Sequence, residues 1–128
     1  MTNKYSLSII IPAYNSEKII NDCLNKILEE SKKIKSEIIV VDDKSTDKTT
    51  KIVKKIKKIK LIKLKKNRGV GNARNIGADN AKYENLCFID SDIIISKNSI
   101  YNLLKRFHKN KNTGSVSGTQ NTYNLNKD

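Results

Sequence analysis

The sequence predicts an α/β domain with a mostly parallel central sheet and helices on both of its faces. Three observations predict it. Short aliphatic runs alternate with stretches of helical periodicity, the order expected of βαβ units. The run "EIIVV" (37–41) is continuously apolar rather than alternating, as in strands covered on both faces. The chain has 128 residues, 37% hydrophobic and 30% charged, which is the size and composition of one soluble globular domain and too short for two.

The elements follow in order. "LSIII" (7–11) is the first strand, closed by Pro12. From Ser16 to about Glu30, the residues Ile19, Ile20, Cys23, Leu24, Ile27 and Leu28 recur at helical spacing and make one apolar stripe. "EIIVV" (37–41) is the second strand. Ser45 or Thr46 is a candidate N-cap for a second helix carrying Ile52, Val53, Ile56 and Ile59. "KLIKL" (60–64) reads as the third strand. Ala73, Gly77 and Ala81 then lie four apart, a small-residue face that lets a helix approach a sheet closely. "NLCFI" (85–89) is the fourth strand, and Ile100, Leu103, Leu104 and Phe107 mark the next helix. "GSVSG" (114–118) reads as the start of a fifth strand, after which only ten residues follow, so the sheet is expected to be cut short there. The domain is expected over 1–118, with 119–128 a polar, loose tail.

Composition narrows the function. The formal net charge is +13, which raises nucleic-acid binding as a class. The excess is almost all lysine, concentrated in "KIVKKIKKIKLIKLKK" (51–66), and aromatic residues make up only 5%, which leaves little for stacking on bases. The plainer reading is a solvated helix face and strand ends. Peripheral contact with an acidic membrane surface is the partner that such a charge excess would also suit. No apolar run approaches the roughly 20 residues of a membrane span, and the short stretch after Lys4 is not a signal peptide pattern. Cys23 and Cys87 sit inside apolar elements and read as reduced core residues of a cytoplasmic protein.

In open α/β sheets, ligands bind beyond the carboxyl ends of the strands. The conspicuous polar residues fall there four times: Tyr14 and Asn15, Asp42 and Asp43, Asn67 with Arg68 and Gly69, and Asp90 with Asp92. Asp90 and Asp92 leave one strand two residues apart, hence on the same side. Two close carboxylates repel unless a cation neutralises them, and magnesium or manganese held this way takes its other ligands from phosphate and water. Asp92 is then the metal ligand, and Asp90 supports it or meets sugar hydroxyls. The plainer reading is a solvated acidic turn. Asp42 or Asp43 could accept from a base or ribose, or cap the following helix. Arg68 and Arg74 bring fixed positive charge to the same edge, for an acid or a phosphate. "NRGVGNARNIG" is not a dinucleotide fingerprint, since Arg74 stands at the third glycine position. His108, the only histidine, is expected to be exposed on its helix and not catalytic.

"SIIIPAYNSEKIINDCL", "EIIVVDDKSTDKT", "NRGVGNARNIGADNA" and "CFIDSDIIIS" together resemble, in order and spacing, the family 2 glycosyltransferases, inverting GT-A enzymes that use nucleotide-diphosphate sugars. The resemblance covers about residues 7–118, the N-terminal, nucleotide-sugar-binding part of such an enzyme. It implies that Pro12, Ala13, Tyr14, Asn15 and Glu17 belong to the nucleotide pocket and that Asp43 contacts the base. It implies that Arg74 braces that aspartate and the nucleotide, and that Asp90 and Asp92 bind ribose and a diphosphate-bridging Mn2+ or Mg2+. The implied donor is a nucleotide-diphosphate sugar, with a UDP-sugar favoured, and the acceptor a sugar, a lipid-linked glycan or a protein. The general base of the family comes after the D-x-D, yet Asp128 is the only acid in 97–128, so the catalytic base is expected beyond residue 128. An absent acceptor half would leave apolar surface, so a homo-oligomer is an expectation.

Two other classes compete. A phospho-acceptor receiver domain has this length and a "VVDD" strand end, but would begin at that strand rather than after a complete strand and helix, and would need more chain after Asp90. A basic nucleic-acid-binding module would bind with a steep salt dependence and no divalent metal.

Overall fold

The computed structural model describes residues 5–118. The order is β1 (Leu7–Ala13), α1 (Ile20–Ser31), β2 (Ser36–Asp42), α2 (Thr49–Lys54), β3 (Ile59–Lys63), α3 (Val70–Asp79), β4 (Leu86–Phe88) and α4 (Ser99–Lys109). All pairings are parallel and the sheet order is β3-β2-β1-β4. The jump from β3 to β4 across the sheet reverses the direction of winding beside β1, and this is where an open α/β sheet places its ligand crevice.

The continuous apolar runs are continuous because both faces are covered. Ile9, Ile11, Ala13, Ile38 and Val40 pack on one face with Cys23, Leu24 and Ile27 of α1, Val53 of α2, and Ile100 and Leu104 of α4. Ile39 and Val41 pack on the other face with Ala73 of α3. The small-residue face of α3 works as predicted at Ala73 and Gly77, while Ala81 lies past the end of the helix. A Cβ on Gly77 would overlap Ile10 Cγ2 and press on Val41. β1, in the middle, is buried along its whole length.

Pro12 sits inside this central strand without breaking it. Even-numbered residues of β1 turn their N–H towards β4, as Ser8 N–H does in donating to Asn85 O at 2.9 Å. β4 pairs only as far as Ile10 with Phe88, so at Pro12 there is no partner left to miss the donor. β1 and β4 separate at that residue, and the space between them opens into the cleft described below.

The structure corrects several expectations. Residues 114–118 form no strand: Val116 is half-buried, its neighbours are exposed, and no strand pairing among the described residues includes them. The described sheet therefore has four strands. The second helix is shorter than its apolar pattern, because Lys58 turns the chain at φ 72° and Ile59 begins β3. Ser45 and Thr46 do not cap it; Asp47 Oδ1 accepts from Thr49 N at 2.9 Å instead. The first helix starts at Ile20, with 16–19 a turn held by Ile20 N–H donating to Ser16 O. His108 is half-buried, edge-on to Tyr5 and Phe107. The expectation for 119–128 lies outside the described residues. Both cysteines are free: Cys23 is buried and Cys87 half-buried, and burial pushes the first thiol up to about 12 and the second to about 11.

Candidate functional site

A cleft of ≈ 540 Å³ opens at the carboxyl ends of β1, β2 and β4. Its lining includes Pro12, Ala13, Tyr14, Asn15 and Glu17 after β1, Asp43 after β2, Arg74 on α3, and Asp90 and Asp92 after β4. All nine residues singled out from the sequence for nucleotide or metal thus face one cavity. Arg68 does not line it, and Asp42 lies beneath it, 1% exposed.

Hydrogen bonds fix the shape of the cleft. Asn15, itself in a left-handed conformation at φ 48°, accepts at Oδ1 from Thr46 N (2.8 Å) and Asp47 N (3.3 Å), while its own N–H donates to Ser45 Oγ. Glu17 Oε2 accepts from Lys48 N at 3.0 Å, and Asp47 Oδ2 accepts from Glu17 N at 3.2 Å. These reciprocal bonds zip the loop after β1 to the loop after β2. Asp42 holds the second loop from below, accepting at its two oxygens from Ser45 N and Ser45 Oγ. Burial alone would raise the Asp47 carboxyl, but donation from the Thr49 hydroxyl and from backbone N–H groups outweighs it and holds the group below the ordinary range.

Asp43 holds a third loop. Its Oδ1 accepts from Arg68 N and its Oδ2 from Gly69 N, both at 2.9 Å. Gly69 is at φ 95°, a conformation that glycine adopts at little cost and that starts α3. An ionised carboxylate has about four acceptor positions, so two remain for a ligand.

The acidic turn after β4 is built differently from its sequence-based expectation. The strand ends at Phe88, and residues 90–93 form a turn in which Ile93 N–H donates to Asp90 O. Strand alternation therefore does not place the two carboxylates. Ser91 does: it is buried (8% exposed) and shares a 2.6 Å hydrogen bond with Ser16 Oγ, while Cys23 Sγ donates to Asp90 O. With the middle residue tied inward, Asp90 and Asp92 flank it at the cleft. Arg74 Nη2 donates to Asp90 Oδ1 at 2.9 Å. Asp92 is exposed and accepts no hydrogen bond from a described residue. No group of three or more His, Cys, Asp or Glu that could hold a metal occurs among the described residues. The donor set is one free carboxylate beside one paired carboxylate. That excludes a metal cage built from this part of the chain alone, and it fits a hard cation that completes its shell with phosphate and water.

The family described as Glycosyl transferase family 2 matches residues 8–127. The chain belongs to that family. Among its relatives is the Staphylococcus aureus poly(ribitol-phosphate) beta-N-acetylglucosaminyltransferase TarS, 40% identical over 98 residues, covering 73% of this chain and 17% of that protein. The solved structure of S. aureus TarS 1-349 in complex with UDP-GlcNAc superposes with a TM-score of 0.72 at 36% identity, covering 80% of this chain and 32% of that one. The Pyrobaculum calidifontis mannosyltransferase PcManGT, in complex with GDP-Man and Mn2+, gives 0.72 at 27% identity over 77% of this chain and 31% of its own. The chain thus spans about a third or less of these relatives' lengths. The sheet and its helices are those of GT-A glycosyltransferases, and the receiver and nucleic-acid-module readings give way to family 2.

One residue departs from what the family resemblance implies. Arg74 pairs with Asp90 and not with Asp43, whose oxygens are turned to Arg68 N and Gly69 N. Arg74 Nε is buried with no hydrogen-bond partner among the described residues, so what the side chain can offer a ligand in the cleft is its remaining Nη N–H groups. The sequence reasoning also missed Val70 and Lys18, both in the lining. Val70 was legible as an apolar residue at the helix start, off the small-residue face. Lys18 carried no signal among so many lysines.

Proposed function

We propose that this chain is the donor-binding part of a family 2 glycosyltransferase, binding a UDP-sugar in the cleft between β1 and β4 with Mn2+ or Mg2+ at Asp92. One observation carries the reading: Asp92 is an exposed, unengaged carboxylate in a cleft where the neighbouring acid, Asp90, is already paired with Arg74. A structural acid would be engaged like Asp42 or Asp43. The preference for UDP follows from the greater identity to TarS, solved with UDP-GlcNAc, than to the GDP-Man-bound relative.

Each residue then has a task. Tyr14 and Val70, 49% and 51% exposed at the cleft, present apolar surface to the base, and Asp43 uses a spare lone pair to accept from it. Asp90 accepts from ribose hydroxyls, and Arg74 directs its unused N–H groups at the diphosphate. Asp92 would hold the divalent ion, whose charge stabilises the departing nucleotide diphosphate. Transfer with inversion needs a general base for the acceptor hydroxyl, and the segment 93–127 contains no acid to serve. The reading for this chain is therefore donor binding, with no residue of 93–127 assigned as the base.

Calorimetric titration of UDP and of GDP into the 128-residue chain, first with Mn2+ and then with chelator, tests the proposal. UDP is expected to bind in a metal-dependent manner and more tightly than GDP. Equal binding with chelator present would remove the metal from the reading, and tighter GDP binding would reverse the choice of base.

A further inference from the structure

Between Lys44 and Arg68 the chain carries eleven lysines and one arginine against a single acid, Asp47, a net +11 of the chain's +13. All twelve cationic residues are exposed, and none forms an ion pair among the described residues; the ion pairs there involve Lys26, Lys33 and Arg74. The fold lays them along one side of the molecule. Lys51 and Lys54 stand on α2, Lys60 and Lys63 on the edge strand β3, and Lys65 and Lys66 on the loop that reaches the cleft through the Arg68 and Gly69 bonds to Asp43.

Lysines on an edge strand guard it against pairing with another sheet. That role accounts for Lys60 and Lys63 but not for those on α2 and the loops. So much unpaired charge of one sign repels itself, and a polyanion lying along it would relieve the repulsion. The face lacks what a membrane-binding element adds to its charge, exposed apolar residues to insert. Val53, Ile59 and Leu61 are packed against the core, and the large exposed hydrophobic side chains (Tyr14, Val70, Leu86, Phe88 and Tyr101) all lie outside the segment. Alternation along β3 turns Lys60 to the α3 side of the sheet, with Ile62 and Leu64, and Lys63 to the α2 side, with Ile59 and Leu61, so positive charge flanks the sheet edge on both sides and a linear chain of phosphates could run along it. TarS is named for a polymer of that chemistry, poly(ribitol-phosphate).

We propose that the face formed by Lys44–Arg68 tethers a linear, phosphodiester-linked polyol polymer that serves as the acceptor, holding it beside the donor cleft. The proposal rests on the donor-binding reading above. A tether of this kind raises the acceptor's local concentration without forming part of the reacting centre.

The test titrates a synthetic ribitol-phosphate oligomer into the whole chain, into Lys60→Gln/Lys63→Gln/Lys65→Gln, and into Lys105→Gln/Lys109→Gln/Lys111→Gln. The last variant loses the same charge from α4 and the residues after it. UDP with Mn2+ and vesicles of phosphatidylglycerol with phosphatidylcholine are titrated in parallel. The oligomer is expected to bind in a salt-dependent manner, and the β3 variant to bind about tenfold more weakly with a log–log salt slope reduced by roughly 2. The α4 variant should stay close to the parent, and UDP binding should be the same in all three. Equal weakening in both variants, no oligomer binding at low salt, or tighter binding of vesicles than of oligomer at equal phosphate would overturn the tether. Oligomer binding as expected with no UDP binding would instead overturn the donor reading, and with it the face's role as an acceptor tether.

Discussion

Four aspartates around one cleft do different work, and their surroundings sort them. Asp42 and Asp43 are buried and spend their oxygens on backbone N–H groups and Ser45 Oγ; Asp90 is paired with Arg74; Asp92 is free. Asp43→Ala leaves two N–H groups without an acceptor and should cost about 1–3 kcal/mol, read as a lowered urea midpoint. Asp92→Asn should leave the midpoint within about 0.5 kcal/mol of the parent, as for other exposed sites, while abolishing metal-dependent nucleotide binding. The positions of these acids were legible because strand ends punctuate the sequence. Their division of labour was not. Which acid Arg74 meets depends on how α3 is set against the turn after β4, and that follows from packing, not from spacing.

At the scale of elements, periodicity was the reliable guide wherever an element packs along its whole face. Ala73, Gly77 and Ala81 predicted the close approach of α3, and Gly77 does lie against Ile10. Gly77→Ala would gain about 1 kcal/mol of helix propensity. It would also force its methyl into a buried, β-branched neighbour, an overpacking cost of about 1–3 kcal/mol. A net loss of stability is expected in chemical denaturation, the reverse of the usual effect of this substitution in a helix. Periodicity failed where a neighbour decides the outcome. The run Ile52, Val53, Ile56, Ile59 was read as one helix, but Lys58 breaks it and Ile59 joins the sheet. In 114–118 only Val116 is half-buried, and none of the described strands pairs with the segment. The D-x-D was placed at the right end of the right strand, though a buried Ser91 and not strand alternation sets its geometry.

For the molecule as a whole, two carboxyls link folding to pH. The hydrogen bond from Lys33, followed by the Asn98 N–H, lowers Glu30 from its ordinary 4.5, and the bonds to Asp47 lower that group from 3.8. Groups depressed on folding contribute stability that is complete above their unfolded values and is lost as pH falls through the folded ones. Their contribution should therefore be constant from neutral pH to about 5 and decline below about 4.5. Glu30 also ties α1 to α4 through Asn98 N and Lys33. Glu30→Gln should be less stable than the parent at pH 7, and the difference should shrink in acid, as urea titrations at stepped pH would show.

The central claim is that nucleotide and metal meet at Asp92, in the cleft between β1 and β4. Paramagnetic broadening of amide resonances by Mn2+ in the presence of UDP tests it most directly, because broadening reports distance from the ion. Loss of signal centred on 90–92 and reaching 13–17 and Arg74, absent in Asp92→Asn, is the predicted result. Broadening centred elsewhere, or unchanged in Asp92→Asn, would contradict it.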